Sequence, residues 1–447
     1  MVICITLSKY LFYFSIFDYQ ICKNLKHLYL TSKRMKSKFL ALLGSAVLSA
    51  GVANAGGFQA NLQGQKQIGM GHVGTGLALD QSSIFFNPGA LAHLRQNGIQ
   101  LGVSALNAKI AYREPAGGIS EAFTDNPLST PFQVYASFGK EESPLRFGIG
   151  VYTPYGSSVN WGDQWQGRFG LNELTLQAIY IQPTVSYRIS DKLGFGAGLI
   201  YSIGSVNLQR SIPLQDANYA ESGIELDGGA SGFGYNLGVY FQPTEKLSLG
   251  LTYRSKVEME VKEGDVTFML PTSPVVAGQF QATQFDAKLP LPANITLGIG
   301  FKPTEDLTIG VDVQRVQWSA YKSLRFDYNA GIRGEMFTES PRNYEDVFIY
   351  RVGAQYKVSD ILTVRAGAYY DNSPVQAGYL TPETPDADSR GVSAGLTLAL
   401  SEKIDLDASF LYINKKERTD DASKSGGVAG TYKSVAYIPG VGINYKF

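Results

Sequence analysis

Sulfur is nearly missing from this sequence. Of 447 residues only Cys4 and Cys22 are cysteine, and both lie in an N-terminal stretch that reads as removable. The remainder therefore has no disulfide framework and no thiolate metal site. Histidine is also scarce: beyond residue 55 there are His72 and His93 alone. With no cysteine and no histidine-rich pattern beside them, neither a metal site nor a cofactor is expected. Long apolar runs are missing too, because nothing after residue 55 approaches the roughly 20 residues of a membrane helix. Any crossing of a bilayer must then be made by strands. Nor is there an excess of positive charge. The first 55 residues hold seven of the 39 basic residues and one of the 39 acidic ones, which leaves 32 against 38. A mildly acidic chain of this kind is no nucleic-acid binder by charge.

The N-terminal stretch reads as an export signal. From Met35 the chain runs MKSKFLALLGSAVLSAGVANA, with Lys36 and Lys38 at the basic end, an apolar stretch from Phe39 to Leu48, and Ala53-Asn54-Ala55 as a small-residue cleavage site. Residues 1–34 are expected to be an upstream extension outside the mature protein, 35–55 the signal peptide, and Gly56 the mature start.

At the other end, KSVAYIPGVGINYKF alternates with period two. Val435, Tyr437, Val441, Ile443, Tyr445 and Phe447 share one face; Ala436, Gly440, Gly442, Asn444 and Lys446 share the other. A strand apolar on one face, small or polar on the other, and ending on an aromatic suits the closing strand of an outer-membrane barrel, whose lipid side must be apolar while its lumen tolerates polar groups. An aromatic content of 12%, with 27 tyrosines and 49 glycines, suits aromatic girdles and strands that pass close to other backbone.

Residues 56–97 follow neither period and are rich in glycine, which predicts a compact plug. Gly69, Gly71 and Gly74 spell the dinucleotide fingerprint, but no strand feeds it and no acidic residue follows at the required distance. From residue 98 onward short polar connections recur: KEESP (140–144), SDK (190–192), TEK (244–246), TED (304–306), SD (359–360) and SEK (401–403). Each interval holds two strands of membrane-crossing length and one long loop. Six tight turns and seven long connections predict an all-β fold over 98–447, a fourteen-stranded antiparallel transmembrane β-barrel. The strands agree: Leu247, Leu249, Leu251 and Tyr253 alternate with Ser248, Gly250, Thr252 and Arg254, and Leu307, Ile309, Val311 and Val313 alternate with Thr308, Gly310, Asp312 and Gln314.

The start GGFQ, the glycine run leading to Asn87-Pro88-Gly89-Ala90, TPYGSSVNWGDQWQGRF (153–169), LPLPANITLGIGFKP (289–303) with Asp312 and Trp318 after it, and the terminal Phe447 together resemble the FadL-type outer-membrane transporters of long-chain fatty acids and hydrocarbons. The resemblance implies a barrel closed by an N-terminal hatch with an Asn-Pro-Ala motif, of which this chain keeps Asn87 and Pro88 but has Gly89 in third place. It implies passive transport of hydrophobic compounds, with long-chain fatty acids as the expected cargo, through a pocket gated by Gly57 and Phe58 of the hatch terminus, and onward past a kinked third strand. That strand is predicted over Leu145 to Thr153. It also implies that Tyr445 and Phe447 form part of the signal read by the barrel insertion machinery.

For the cargo itself, the segment VTFMLPTSPVVAGQF should face outside and offers Phe268, Met269, Leu270, Val275 and Phe280 as an external apolar groove. Arg351 and Arg365 point inward by alternation and are candidates to hold a carboxylate, with Lys109 and Arg254 as helpers. Asp312, Asp405 and Asp407 are equally able to occupy those cations. The expected setting is the outer membrane of a Gram-negative bacterium, with lipid and lipopolysaccharide around a monomer. A general diffusion porin or a structural or adhesive outer-membrane protein would share the strands, but the 40-odd residues before the first strand argue for a plugged lumen. A barrel hydrolase would need a histidine in the barrel and has none.

Overall fold

The computed structural model describes residues 57–115, 118, 120–140, 142–215 and 221–447; the expected leader and the expected mature start at Gly56 lie outside the described residues. The wall consists of β1 (Gly98–Ser104), β2 (Phe132–Phe138), β3 (Leu145–Asn160), β4 (Glu173–Ser190), β5 (Leu193–Gln215), β6 (Glu221–Thr244) and β7 (Leu247–Arg254). It continues through β8 (Asn294–Phe301), β9 (Leu307–Val316), β10 (Val347–Lys357), β11 (Leu362–Asp371), β12 (Ser389–Ala399), β13 (Ile404–Lys415) and β14 (Gly430–Lys446). Each strand pairs antiparallel with the next. The ring closes where β14 meets β1, from Gly98 opposite Lys446 to Ser104 opposite Gly440. The fold is the fourteen-stranded antiparallel barrel that the turn spacing predicts. Among the described residues no helix is long and apolar enough to cross a membrane.

The two faces of the wall divide by period. Leu199, Phe233, Leu297, Val352, Phe410 and Val441 are exposed on the outside, while Gln182, Asn236, Thr296, Asp312, Asp407 and Asn444 are buried on the inside. Lipid offers no hydrogen-bond partners, so the outer row stays apolar and the ladder closes on itself, leaving no open sheet edge. The tight turns fall where the short polar connections stand, between Ser190 and Leu193 and between Thr244 and Leu247 for example. Tyr445 and Phe447 stack at 5.8 Å on the outer face beside the closing seam.

The opposite rim is more structured than alternation suggests. β5 and β6, of 23 and 24 residues, run far beyond the roughly 9–11 residues that a crossing needs. The outer half of β6 pairs with Val257–Met269, and the sheet continues through Gln284–Leu291, Ser323–Ile332 and Glu335–Pro341. The expected open loop after residue 263 is thus a hairpin, because Val257, Met259 and Val261 lie in one phase and bury together. Likewise β3 does not end at Thr153. It runs on to Asn160 with a register shift between Tyr152 and Tyr155, and Pro154 sits in that irregularity, where its missing N–H breaks no ladder bond.

Residues 57–97 lie inside this ring. The helices α1 (Gln65–Ile68) and α2 (Ser83–Phe86) and a 3-10 turn at Ala90–His93 carry mostly buried side chains. Gly71 has φ 68°, and a Cβ there would come within 2.7 Å of the Ala368 nitrogen; Gly69 and Gly71 of the dinucleotide-like motif serve close approach to the wall, and Gly74 close approach to Phe86.

A cation placed in the middle of the lipid-facing row tests the assigned face. Val441→Arg is expected to lower the stability of the folded barrel by about 2–4 kcal/mol, read as a shift in denaturant midpoint in lipid vesicles. Stability equal to that of the unaltered protein contradicts the assignment of Val441 to lipid.

Candidate functional site

The inward rows change character with height. Along β4 the inward residues from the outer end are Leu174, Leu176, Ala178 and Tyr180, then Gln182, Thr184 and Ser186. The lower, polar half is occupied by the N-terminal segment. Asp312 on β9 accepts hydrogen bonds from the amides of Gly74 (2.9 Å) and Thr75 (3.0 Å). Lys66 pairs with Asp405 at 3.2 Å, and Asp405 also receives Lys446. The Asn87 side chain donates to the carbonyls of Thr75 and Val239, both at 2.9 Å, and its oxygen accepts from Gly89 N–H. Ser186 donates to the Pro88 carbonyl. The departure at Gly89 has a physical reason: a Cβ there would stand 2.7 Å from the Gly238 oxygen and 2.9 Å from the Gly194 oxygen.

Arg351 and Arg365 belong to this lower, polar layer. Arg351 donates to Asn61 at 3.0 Å and borders a small polar cavity with His72, Arg254 and Asp312. Arg365 is held by Gln355 and Thr397, Arg254 by the Phe85 carbonyl and ring, and Lys109 is exposed. None of these four lines the apolar space above.

That space is an apolar cavity lined by Leu174, Leu176, Leu208, Met259, Leu289 and Phe326, among others. Its outer end is shared with a more polar vestibule of about 880 Å3 that also touches Arg210, Tyr328 and Glu339. Arg342 and Glu383 border both spaces and pair at 3.4 Å. Burial opposes the charge of Arg342, but Glu383, with Tyr321 and Tyr344, outweighs it and holds the guanidinium above its ordinary value. Burial also pushes Glu383 up, yet Arg342 and local hydrogen bonds hold its carboxyl below the usual range. The two directions agree on an ionised pair.

The inner end of the cavity is Phe58. Its ring packs edge-on against Trp318 (4.9 Å) and Tyr321 (5.9 Å). Its carbonyl accepts from Gly156 at 3.1 Å, while Ala60 donates to Pro154 at 2.8 Å. Residues 58–60 therefore pair with β3 just above Tyr152, where the pairing of β2 with β3 stops. Gly57 has φ 65°, a Cβ there would come within 2.5 Å of Trp318, and its amide donates to Asp386. On the far side of Phe58 lies another space, of about 990 Å3, bordered by Asn126, Pro127 and Ser158.

The external residues singled out by sequence are divided. Phe268 and Phe280 pack ring to ring at 5.3 Å, Leu270 is half-buried, and Met269 and Val275 stay exposed at 57% and 72%. None of the five lines the apolar cavity. Of the residues that do, sequence reasoning picked out Phe58 and passed over the rest. The signal was present in the change of one inward row from leucine to glutamine along β4.

An exported β-barrel with a polar interior layer, an inner segment and an apolar cavity above it defines a class: an outer-membrane protein that handles hydrophobic molecules. A profile of the outer membrane protein transport protein family (OMPP1/FadL/TodX) matches residues 46–447, and the chain belongs to that family. It is similar to the 47 kDa outer membrane protein of Pasteurella multocida (strain Pm70), 27% identical over 438 residues that cover 92% of this chain and 99% of the relative. It is similar also to the long-chain fatty acid transport protein of Escherichia coli O6:H1 (strain CFT073), 25% identical over 334 residues, 67% of this chain and 73% of the relative. The crystal structure of a Pseudomonas aeruginosa FadL homologue matches with a TM-score of 0.76 at 20% identity, covering 88% of this chain and 100% of that one, which bears on fold alone. The protein is an outer-membrane transporter of hydrophobic compounds and not an enzyme.

The carboxylate of Asp312 supplies the test of how the inner segment is held. Each hydrogen bond to a charged group contributes about 1.5–3 kcal/mol. Asp312→Ala should therefore speed amide hydrogen exchange of the peptide around Gly74 and Thr75 at least roughly tenfold, with the strands still protected. Unaltered protection of that peptide contradicts the anchoring role.

Proposed function

We propose that the protein admits long-chain fatty acids from the outside, holds them in the apolar cavity and releases them past the N-terminal segment, which serves as a hatch. The observation that carries this reading is the position of Phe58, one ring that borders two cavities at once. A hydrophobic solute gains little from a water-filled pore, since transfer from an apolar site into water costs about 0.8 kcal/mol per CH2. A continuous apolar route avoids that cost. The hairpin sheet and the vestibule receive the molecule, and Leu176, Met259 and Leu289 hold its chain. A shift of residues 57–60 off β3 joins the two spaces.

In this reading Gly57 and Phe58 are the moving part, and Asn87 and Pro88 belong to the fixed base of the hatch. Phe268, Met269, Leu270, Val275 and Phe280 are the outer surface on which cargo first lands, with Met269 and Val275 as its exposed members. Arg351 holds the hatch to the wall through Asn61, and Arg365 braces neighbouring wall strands through Gln355 and Thr397. We also place Tyr445 and Phe447 in the signal that directs barrel insertion, and lipid and lipopolysaccharide against the outer face.

The direct test is Phe58→Ala, with two fluxes measured in the same cells. Uptake of a long-chain fatty acid should rise severalfold, because the partition between the cavities is removed, while leakage of small hydrophilic antibiotics stays at its original level because the polar layer beneath is untouched. Unchanged fatty acid uptake with raised antibiotic leakage means that Phe58 only anchors the segment, and the gating account fails.

A further inference from the structure

The Arg342–Glu383 pair on the cavity wall carries a second reading, concerning which state of the cargo's polar end the site accepts. Arg342 is 2% exposed. One of its terminal nitrogens donates to Thr381 Oγ1 and the other to Glu383 Oε1. Two buried atoms of the pair have no partner: Arg342 Nε, a donor, and Glu383 Oε2, an acceptor. Buried polar groups are almost always satisfied, and an orphan of each kind on one ion pair points to a ligand that answers both.

We propose that Arg342 and Glu383 form the head-group site of the cargo, and that the site takes a neutral head able both to accept and to donate, a hydroxyl or an undissociated carboxyl, on an extended apolar chain. This rests on the cavity being the cargo site. The chemistry follows from charge. Glu383 already balances Arg342, and the adjoining vestibule holds one further residue of each sign, Arg210 and Glu339, so an ionised carboxylate meets no net positive charge and faces the unpartnered oxygen of Glu383 in a setting where like charges are poorly screened. Tyr321 and Tyr344 beside the pair are kept protonated by burial. Lys288 also reaches the cavity lining, but its ammonium is exposed and engaged by Glu260 at 2.6 Å and Glu258 at 4.0 Å. A fatty acid therefore occupies the site in its undissociated form, and an alcohol of the same chain is the better ligand wherever the acid is ionised.

The experiment uses the full chain in lipid nanodiscs loaded with the apolar fluorophore N-phenylnaphthylamine, displaced in turn by dodecane, dodecan-1-ol and dodecanoate at about pH 9, where a carboxyl group is ionised. The alcohol should displace the probe at a concentration at least roughly tenfold below that of the carboxylate, and also below that of the alkane. Glu383→Gln removes the balancing charge, so dodecanoate should gain at least roughly tenfold while dodecan-1-ol changes little. A carboxylate that binds as well as the alcohol to the unaltered protein overturns the proposal without need of the variant, as does a variant that shifts both ligands alike. Displacement by dodecane with no difference among the heads removes the head-group site and leaves the cavity as the cargo site. Failure of the probe and of all three ligands to bind removes both.

Discussion

Everything in this molecule depends on the closure of its backbone ladder in a solvent that cannot hydrogen-bond. An open sheet edge in lipid would leave a row of amide and carbonyl groups unpaired, each costing several kcal/mol. The seam between β14 and β1 removes that edge. It also explains why the last strand holds the strictest alternation in the chain: Val441, Ile443 and Tyr445 face lipid while Gly440, Gly442 and Asn444 face inward. The wall's pairing changes partner above Tyr152 on β3, and there the N-terminal segment takes over the free backbone groups. The segment proposed to move thus stands where the ladder can be interrupted without leaving polar groups bare.

The second constraint is the fit between the inner segment and the wall. On β7 to β11 the inward row carries Gly250, Gly298, Gly310, Gly353 and Gly367, several of them directly opposite one another. A Cβ at Gly353 or Gly367 would stand within about 2.1 Å of Met70 backbone atoms, so the segment's main chain lies against the main chain of the wall. Around that contact Asp312, Asp405 and Lys66 provide charge-assisted bonds. The lower lumen is consequently filled and polar, the upper lumen apolar and hollow, and the division between them is what suits the protein to greasy solutes rather than to water-soluble ones.

Much of this fold is legible in the sequence because a membrane strand must satisfy lipid and lumen on alternate residues, and because the tight turns carry short polar signatures. Alternation reports a face but not a height. Arg351 and Arg365 point inward as expected, yet they stand at the level of the inner segment, well below the cavity. Arg342 and Glu383 lie in connections without any period, and long-range folding alone brings them together across a separation of 41 positions. Pro154 reads as a strand end, although a proline tolerated at an irregular point let β3 continue to Asn160. The hairpin from Val257 to Leu291 was hidden for another reason: its buried Val257, Met259 and Val261 pack on the extracellular extension of the barrel, where no lipid imposes a clean apolar row.

The central claim is that a hydrophobic molecule occupies the space between the Arg342–Glu383 pair and Phe58. Anomalous diffraction from crystals of the protein soaked with a long-chain fatty acid brominated along its chain locates such a molecule directly. The account predicts bromine peaks beside Leu176, Met259 and Leu289, with the head toward Arg342. Peaks confined to the outer lipid-facing surface, with that cavity empty, would contradict it.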